Sequence, residues 1–220
     1  MALFLMSTRK ENFEMGKRRE RKFEDKIRGR EQRKRKPVVL LVAEGHNKTE
    51  KLYLEHFSYS GSKYTVKVLS RGETSPKGML DEIKRERDIE EVLFENDIVG
   101  IILDLDCSDE KARILQDLMK KEGYRGLTVI ASNPCFEVWF VAHFQNLQGT
   151  YTSSNQVLDD LRKNINNYGK GKDFYSKLKE NTQTAIERCK IKTKQCGDQC
   201  WPSADCNPRT DVAPLVELLL

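Results

Sequence analysis

Val38-Val39-Leu40-Leu41-Val42-Ala43 runs straight into Glu44-Gly45, and Ile98-Val99-Gly100-Ile101-Ile102-Leu103 runs into Asp104-Leu105-Asp106. Both apolar runs are short, continuous and rich in β-branched residues, as expected of parallel strands covered by helices on both faces. In an open α/β sheet the ligand crevice lies at the carboxyl ends of the strands. Three carboxylates delivered there repel one another unless a cation sits among them, and oxygen-only ligation suits Mg²⁺ or Mn²⁺. The two runs therefore predict an α/β fold with a divalent-metal site held by Glu44, Asp104 and Asp106.

Working outward, strand and helix patterns alternate. A helix is expected from about Lys48 to Phe57, then a strand over Tyr64–Leu69. Ser75-Pro76 opens a long helix running to about Phe94, because Ser and Pro suit the N-cap and first turn. Ser108 caps another helix, with Ile114, Leu115, Leu118 and Met119 expected to face inward and Gly123 ending it. Leu127–Ala131 reads as a fourth strand, and Asn133-Pro134 starts an apolar helix from Cys135 to Phe144. This order builds a parallel sheet with helices on its faces. Beyond Gly149 the chain turns polar and helical over 154–190, interrupted at 166–171. A Cys-, Pro- and Gly-containing loop is expected over 192–209, and Thr210 is placed to cap a last short helix. The expected organisation is a basic N-terminal arm (1–36), an α/β domain (37–149) and a helical C-terminal extension with a Cys-rich loop (150–220).

The 220-residue chain carries a net charge of +5, unevenly spread. Residues 9–36 hold 14 Lys/Arg against 6 Asp/Glu, concentrated in Lys17-Arg18-Arg19-Glu20-Arg21-Lys22 and Arg33-Lys34-Arg35-Lys36. Such an arm neutralises phosphates whatever the base sequence, so nucleic acid is the expected partner; a solvated tail is the plainer alternative. No apolar stretch approaches the roughly 18 residues a membrane span needs. Met1–Met6 is too short for a signal core and lacks a basic segment before it, so a cytoplasmic protein is expected.

Around the three acids, further residues are placed to take part. Glu137 lies in the first turn of an apolar helix, where it either complements the helix dipole or joins the site as ligand or base. His143, six residues on, shares roughly its helix face and is a weaker catalytic candidate. Lys48 and Arg71 sit in loops at the crevice rim, suited to phosphate, and Gly45 would admit a ligand close to the backbone. Glu50 has the spacing of a capping-box acid for Asn47. A second metal about 3.5–4 Å from the first would complete a two-metal clamp for phosphoryl chemistry.

Several fold classes are excluded by missing motifs. Glu44-Gly45-His46-Asn47-Lys48 lacks the Gly-x-Gly-x-x-Gly of dinucleotide folds, and no P-loop occurs, so the chain is not expected to hydrolyse ATP alone. A receiver-like domain needs paired acids after the first strand. Six cysteines are present, four of them late (Cys189, Cys196, Cys200 and Cys206). Only Cys196 and Cys200 have zinc-like spacing, so reduced thiols are the leading reading and a Zn²⁺ site the lesser one.

Glu-Gly after the first strand and Asp-x-Asp after the third resemble the Toprim fold of topoisomerases, primases and related nucleases. More narrowly, Glu44-Gly45-x-x-Lys48-Thr49-Glu50, Asp104-x-Asp106 and the block Ser132-Asn133-Pro134-Cys135-Phe136-Glu137-Val138-Trp139-Phe140-x-x-His143-Phe144 resemble the RloB family. Asn207-Pro208-x-Thr210-x-Val212-x-x-Leu215-Val216 matches how such proteins end. The resemblance covers about residues 30–220. It implies a Toprim-like Rossmannoid sheet and Mg²⁺ bound by the Glu and the Asp pair, and it adds Asn133 to the substrate-binding candidates. It further implies a nuclease acting on DNA or RNA, transfer RNA included, as effector of an anti-phage, restriction–modification-associated system with an ABC/AAA-type ATPase encoded nearby. The alternatives are an inactive nucleic-acid-binding scaffold, against which three intact acids argue, and a nucleotidyl-transfer enzyme.

Overall fold

In the computed structural model, the described residues are 36–46, 48–90, 97–121, 126–197 and 201–220, with side chains described outside 87–90. The basic arm up to residue 35, Asn47, Gly123 and Cys200 lie outside them. Residues 37–220 form one compact unit.

Four parallel strands and a short antiparallel fifth make one sheet in the order β2-β1-β3-β4-β5. They are β1 (Val38–Ala43), β2 (Thr65–Leu69), β3 (Ile98–Asp104), β4 (Thr128–Asn133) and β5 (Arg209–Thr210). Between them run α1 (Thr49–Leu54, continued by a 3₁₀ turn, Glu55–Phe57), α2 (Pro76–Glu90) and α3 (Asp109–Met119). After β4 come α4 (Glu137–Ala142), α5 (Ser154–Asn164), α6 (Tyr175–Leu178), α7 (Thr182–Cys196) and, last, α8 (Val212–Leu219). The α/β class expected from the two apolar runs is what the chain adopts.

Strand alternation divides the core in two. Val38, Leu40 and Val42 of β1 pack with Met79 and Ile83 of α2 and Leu115 of α3. Val39, Leu41 and Ala43 face the other way, onto Tyr53 and Leu54 of α1, the aromatic helix α4, and apolar residues of α5, α7 and α8. The helices after residue 150 thus share the core of the sheet, and Trp139, Phe136 and Phe140 at the centre of this layer are fully buried. Removing any of those rings would cost about 3–5 kcal/mol. Gly100 in β3 is needed for close packing, since a Cβ there would lie 2.4 Å from the Thr128 carbonyl oxygen of β4.

Three local expectations differ from the structure. In α3, Ala112 and Leu115 are buried while Ile114 and Met119 stand out in solvent, because the helix touches the sheet along a narrower stripe than its apolar content suggests. The segment expected to be loop over 192–209 begins as the end of α7 and finishes as β5, whose Thr210 pairs with Ser132 of β4. Asp211 rather than Thr210 occupies the N-cap of α8, although Thr210 Oγ1 still accepts from the Val212 amide.

Candidate functional site

The carboxyl ends of β1, β3 and β4 open on one rim, tied together by backbone. The Glu44 amide bonds to the Ile102 carbonyl, Leu105 N–H to Ser132, and Asp106 N–H to Pro134. Gly45, at φ 73°, turns the chain out of β1 and bonds to Glu73 and Gly72 of the loop after β2. Glu44 and Asp104 therefore arrive side by side: Glu44 Oε2 accepts from the Asp104 backbone N–H at 3.1 Å, and Asp104 Oδ1 accepts from the Phe136 N–H at 2.9 Å.

Asp106 does not continue the strand. It and Cys107 take φ of 51° and 59°, so the two-residue alternation expected of Asp-x-Asp is broken by a left-handed turn. Asp104 stays within the acidic interior, whereas Asp106 is half exposed and accepts from Ser154 Oγ at 3.1 Å. Between Glu44 and Asp106 stands the Lys111 ammonium, 3.1 Å from Glu44 Oε1, 2.7 Å from Asp106 Oδ2 and 3.1 Å from the Asp104 carbonyl oxygen. Burial works against its charge, but the hydrogen bond from Lys111 to Asp106 and the Glu44 carboxylate hold it above the usual lysine range.

Behind this outer pair lies a second acidic group. Glu137 is buried at the start of α4. Its Oε1 accepts from the Tyr168 hydroxyl at 3.0 Å, and its Oε2 lies 3.5 Å from Lys170 Nζ. Glu50, on α1, is not a capping acid: its side chain is buried, and Oε2 has no hydrogen-bond partner in the protein. Burial, and next the Glu137 carboxylate, push Glu50 up to about 7. Burial first, then Glu50 and Glu137, raise Asp104 well above the ordinary carboxylate range. Lys170 is only partly covered, and the Glu137 carboxylate holds it above the usual lysine range against the cost of that cover. The lysine reaches this place because the Tyr168–Lys172 loop is pinned to α1 by a Gly171 N–H bond to Thr49 Oγ1 at 2.9 Å.

Other expected site residues are engaged elsewhere. His143 is buried against Trp139 and Tyr53, with Nδ1 on the Trp139 carbonyl oxygen at 2.9 Å. Burial drops it to about 4, so it is a neutral imidazole among the core aromatics. Asn133 spends its side chain on the fold: Nδ2 donates to the carbonyl oxygens of Ser203, Ala204 and Cys206, and Oδ1 accepts from Cys107 N–H. Arg71 turns toward α2 and pairs with Glu86 at 2.9 Å and Glu82 at 3.4 Å. Lys48 is exposed at the start of α1. Among the late cysteines, Cys189 is packed in the core, with burial raising its thiol to about 12. Cys196 and Cys206 are free thiols in contact with each other.

Among the described residues, no three His, Cys, Asp or Glu side chains stand as a ready-made metal cage. The acids are drawn instead onto Lys111 and Lys170. The donor set still has the chemistry of a hard-cation site: the carboxylates of Glu44, Glu50, Asp106 and Glu137 cluster around Asp104. Glu50 Oε2 is buried without a hydrogen bond, a costly condition that a cation would relieve, while Glu137 Oε2 faces the Lys170 ammonium at 3.5 Å.

Four members of this arrangement, Glu50, Lys111, Tyr168 and Lys170, were not singled out as working residues from the sequence. The one local signal was Lys111 itself, a lysine in the first turn of a helix, where the dipole favours acids.

A family model described as RloB-like protein matches residues 39–219, and the chain belongs to that family. No curated protein and no solved structure matches the chain. Among the described residues, no helix is long and apolar enough to cross a membrane.

Proposed function

We propose that this protein is a metal-dependent nuclease that hydrolyses phosphodiester bonds of DNA or RNA. The observation that carries the proposal is the acidic cluster around Asp104: Glu44 and Asp106 at the ends of β1 and β3, with Glu50 and Glu137 on the helices behind, near enough for their charge to raise Asp104. Glu44, Asp104 and Asp106 would hold Mg²⁺ or Mn²⁺, with Glu50 and Glu137 behind them. When bound, the ion supplies Lewis-acid polarisation of a phosphoryl oxygen and a water of lowered pKa.

The chain's own residues supply the rest. Tyr168 fixes one Glu137 oxygen and leaves the other facing Lys170. Lys48, exposed where α1 begins, is free to meet a backbone phosphate. The basic segment over 9–36 suits the same polyanion. By family resemblance, the role is that of an effector in anti-phage defence, working with a partner ATPase in the cytoplasm.

Incubating the purified protein with labelled duplex DNA, single-stranded DNA and total RNA, with Mn²⁺, with Mg²⁺ and with chelator, tests the proposal. Cleavage of at least one substrate should require the metal and vanish in Asp104→Ala. Tight nucleic-acid binding without cleavage, with or without the ATPase, would favour the scaffold reading.

A further inference from the structure

We infer that the segment from Gly171 to Tyr175, lying along α1, is a track for a single nucleic-acid strand, with ammonium groups beside the acidic cluster and open aromatic rings about 10 Å further on. The inference rests on the nuclease reading above and names the form of substrate that the site takes.

Two sets of contacts lay this segment beside α1. At the crevice end, the Gly171 N–H donates to Thr49 Oγ1 at 2.9 Å. At the far end, His56 Nε2 lies 2.7 Å from Asp173 Oδ2, and the His56 and Tyr175 rings stack with centroids 4.2 Å apart and planes within 9° of parallel. From Thr49 to His56 the helix rises about 10 Å, a span that three or four residues of extended chain also cover. Tyr53 and Phe57 hold the Tyr175 ring in place, with centroids at 5.8 and 5.7 Å.

Charge is sorted along the track. Lys48 precedes Thr49 and Lys172 follows Gly171, so one hydrogen bond brings both lysines to the edge of the acidic cluster where Lys170 meets Glu137. Both are exposed, and among the described residues neither ammonium has a carboxylate or hydrogen-bond partner. Lys111 and Arg71, by contrast, are committed to acids. The one carboxylate within the segment, Asp173, is taken by His56 and by the Tyr175 N–H at 2.9 Å. The lip beside the acids is therefore cationic, and it offsets the repulsion that the cluster exerts on an approaching phosphate. Beyond Asp173 the character changes: His56 is exposed, Tyr175 half-buried and Tyr59 60% exposed. Free ammonium groups followed by open rings suit an unpaired strand, whose phosphates take the charges and whose bases take the rings. In a duplex the bases are already stacked on one another, and the rings would go unused.

Fluorescence anisotropy of labelled oligothymidylate, oligouridylate and a mixed-sequence duplex, titrated with the full chain in chelator, tests the track without cleavage. The wild type should prefer the single strands, and the tighter of the two identifies the strand as DNA or RNA. Lys48→Ala/Lys172→Ala should lower the log–log salt slope on single strands by about 1.4, at about 0.7 per phosphate contact. Lys192→Ala/Lys194→Ala, with the same loss of charge on α7, should leave it unchanged; the basic arm contributes equally to both. Tyr175→Leu keeps apolar bulk and loses the flat ring. It should weaken single-strand binding about 5- to 150-fold at an unchanged slope and leave duplex binding alone, while Tyr175→Phe binds like the wild type. Equal effects of the two lysine pairs, or single-strand binding by Tyr175→Leu as tight as the wild type's, would overturn the track. So would equal weakening of duplex and single strand. No binding of any of the three by the wild type would remove the nucleic-acid reading and the track with it. Track-dependent binding without metal-dependent cleavage would remove the nuclease reading and leave the track standing. Circular dichroism verifies the fold of each variant, and Tyr59→Ala serves if Tyr175→Leu is unstable.

Discussion

Replacing Glu50 by Gln should make the metal-free protein more stable at alkaline pH and leave it nearly unchanged at acidic pH. Glu50 is buried, carries an oxygen without a partner and shares its surroundings with Glu137 and Glu44. Its carboxyl moves from the ordinary 4.5 to about 7. At about 1.4 kcal/mol per tenfold change in proton affinity, that rise corresponds to about 3 kcal/mol. The sign follows from proton counting: between 4.5 and 7 the native state holds a proton that the unfolded chain has released. Stability therefore falls as pH rises through this window. Below 4.5 both states are protonated and the penalty is absent; above 7 it is complete. Glutamine keeps the shape and has no charge to bury. Urea unfolding in chelator at pH 4.5, 6 and 8 should give Glu50→Gln an advantage that grows to about 3 kcal/mol. In a domain of this size that is roughly 6–12 °C in melting temperature. Parallel pH–stability curves for wild type and variant would mean that Glu50 is not the buried, proton-binding member of the cluster.

Glu44→Ala and Asp104→Ala should keep the fold and lose metal-dependent activity, and Mn²⁺ should raise their melting temperature far less than that of the wild type; equal stabilisation of all three would move the ion elsewhere. Glu137→Gln should lower turnover by about 10²-fold or more, as loss of a base or ligand does, whereas a change confined to about 1 kcal/mol of stability would reduce Glu137 to a dipole-complementing acid. Gly100→Ala should destabilise by about 1–3 kcal/mol in a urea titration, because its Cβ would press on the Thr128 carbonyl and overpacked contacts relax only in part. Deleting residues 1–36 should weaken nucleic-acid binding and flatten its dependence on salt, with each lost phosphate contact removing about 0.9 from the log–log slope on duplex DNA; an unchanged slope would make the arm a solubility tail.

The four parallel strands were legible because each is a local pattern. Val38–Ala43 and Ile98–Leu103 need no knowledge of the rest of the chain to be read as buried parallel strands, and the acids that end them follow the strands to the rim. Asp106 was legible as a site residue but not in its orientation, since its left-handed backbone is set by the Pro134 carbonyl holding its amide. The partners of Asn133 and His143 were not legible, because a polar residue at a rim or on an apolar helix gives no sign of what it will meet. Asn133 finds its partners in the 203–206 loop, and His143 finds Trp139 one turn back. Glu50 read as a cap because Asn47 stands three residues earlier, yet its burial depends on Glu137 and on the 168–172 loop, some 90 and 120 positions away in sequence. Lys170 is harder still to foresee, for its only sequence mark is a Gly on either side. Charges that meet across such distances leave no periodicity behind.

The most direct measurement is an anomalous difference map from crystals of the full chain soaked in Mn²⁺. The expected result is a peak among the carboxylates around Asp104, with Glu44 and Asp106 on the outer side and Glu50 and Glu137 behind. No peak at the acidic rim at millimolar Mn²⁺, or density bound only by surface acids away from β1 and β3, would contradict it.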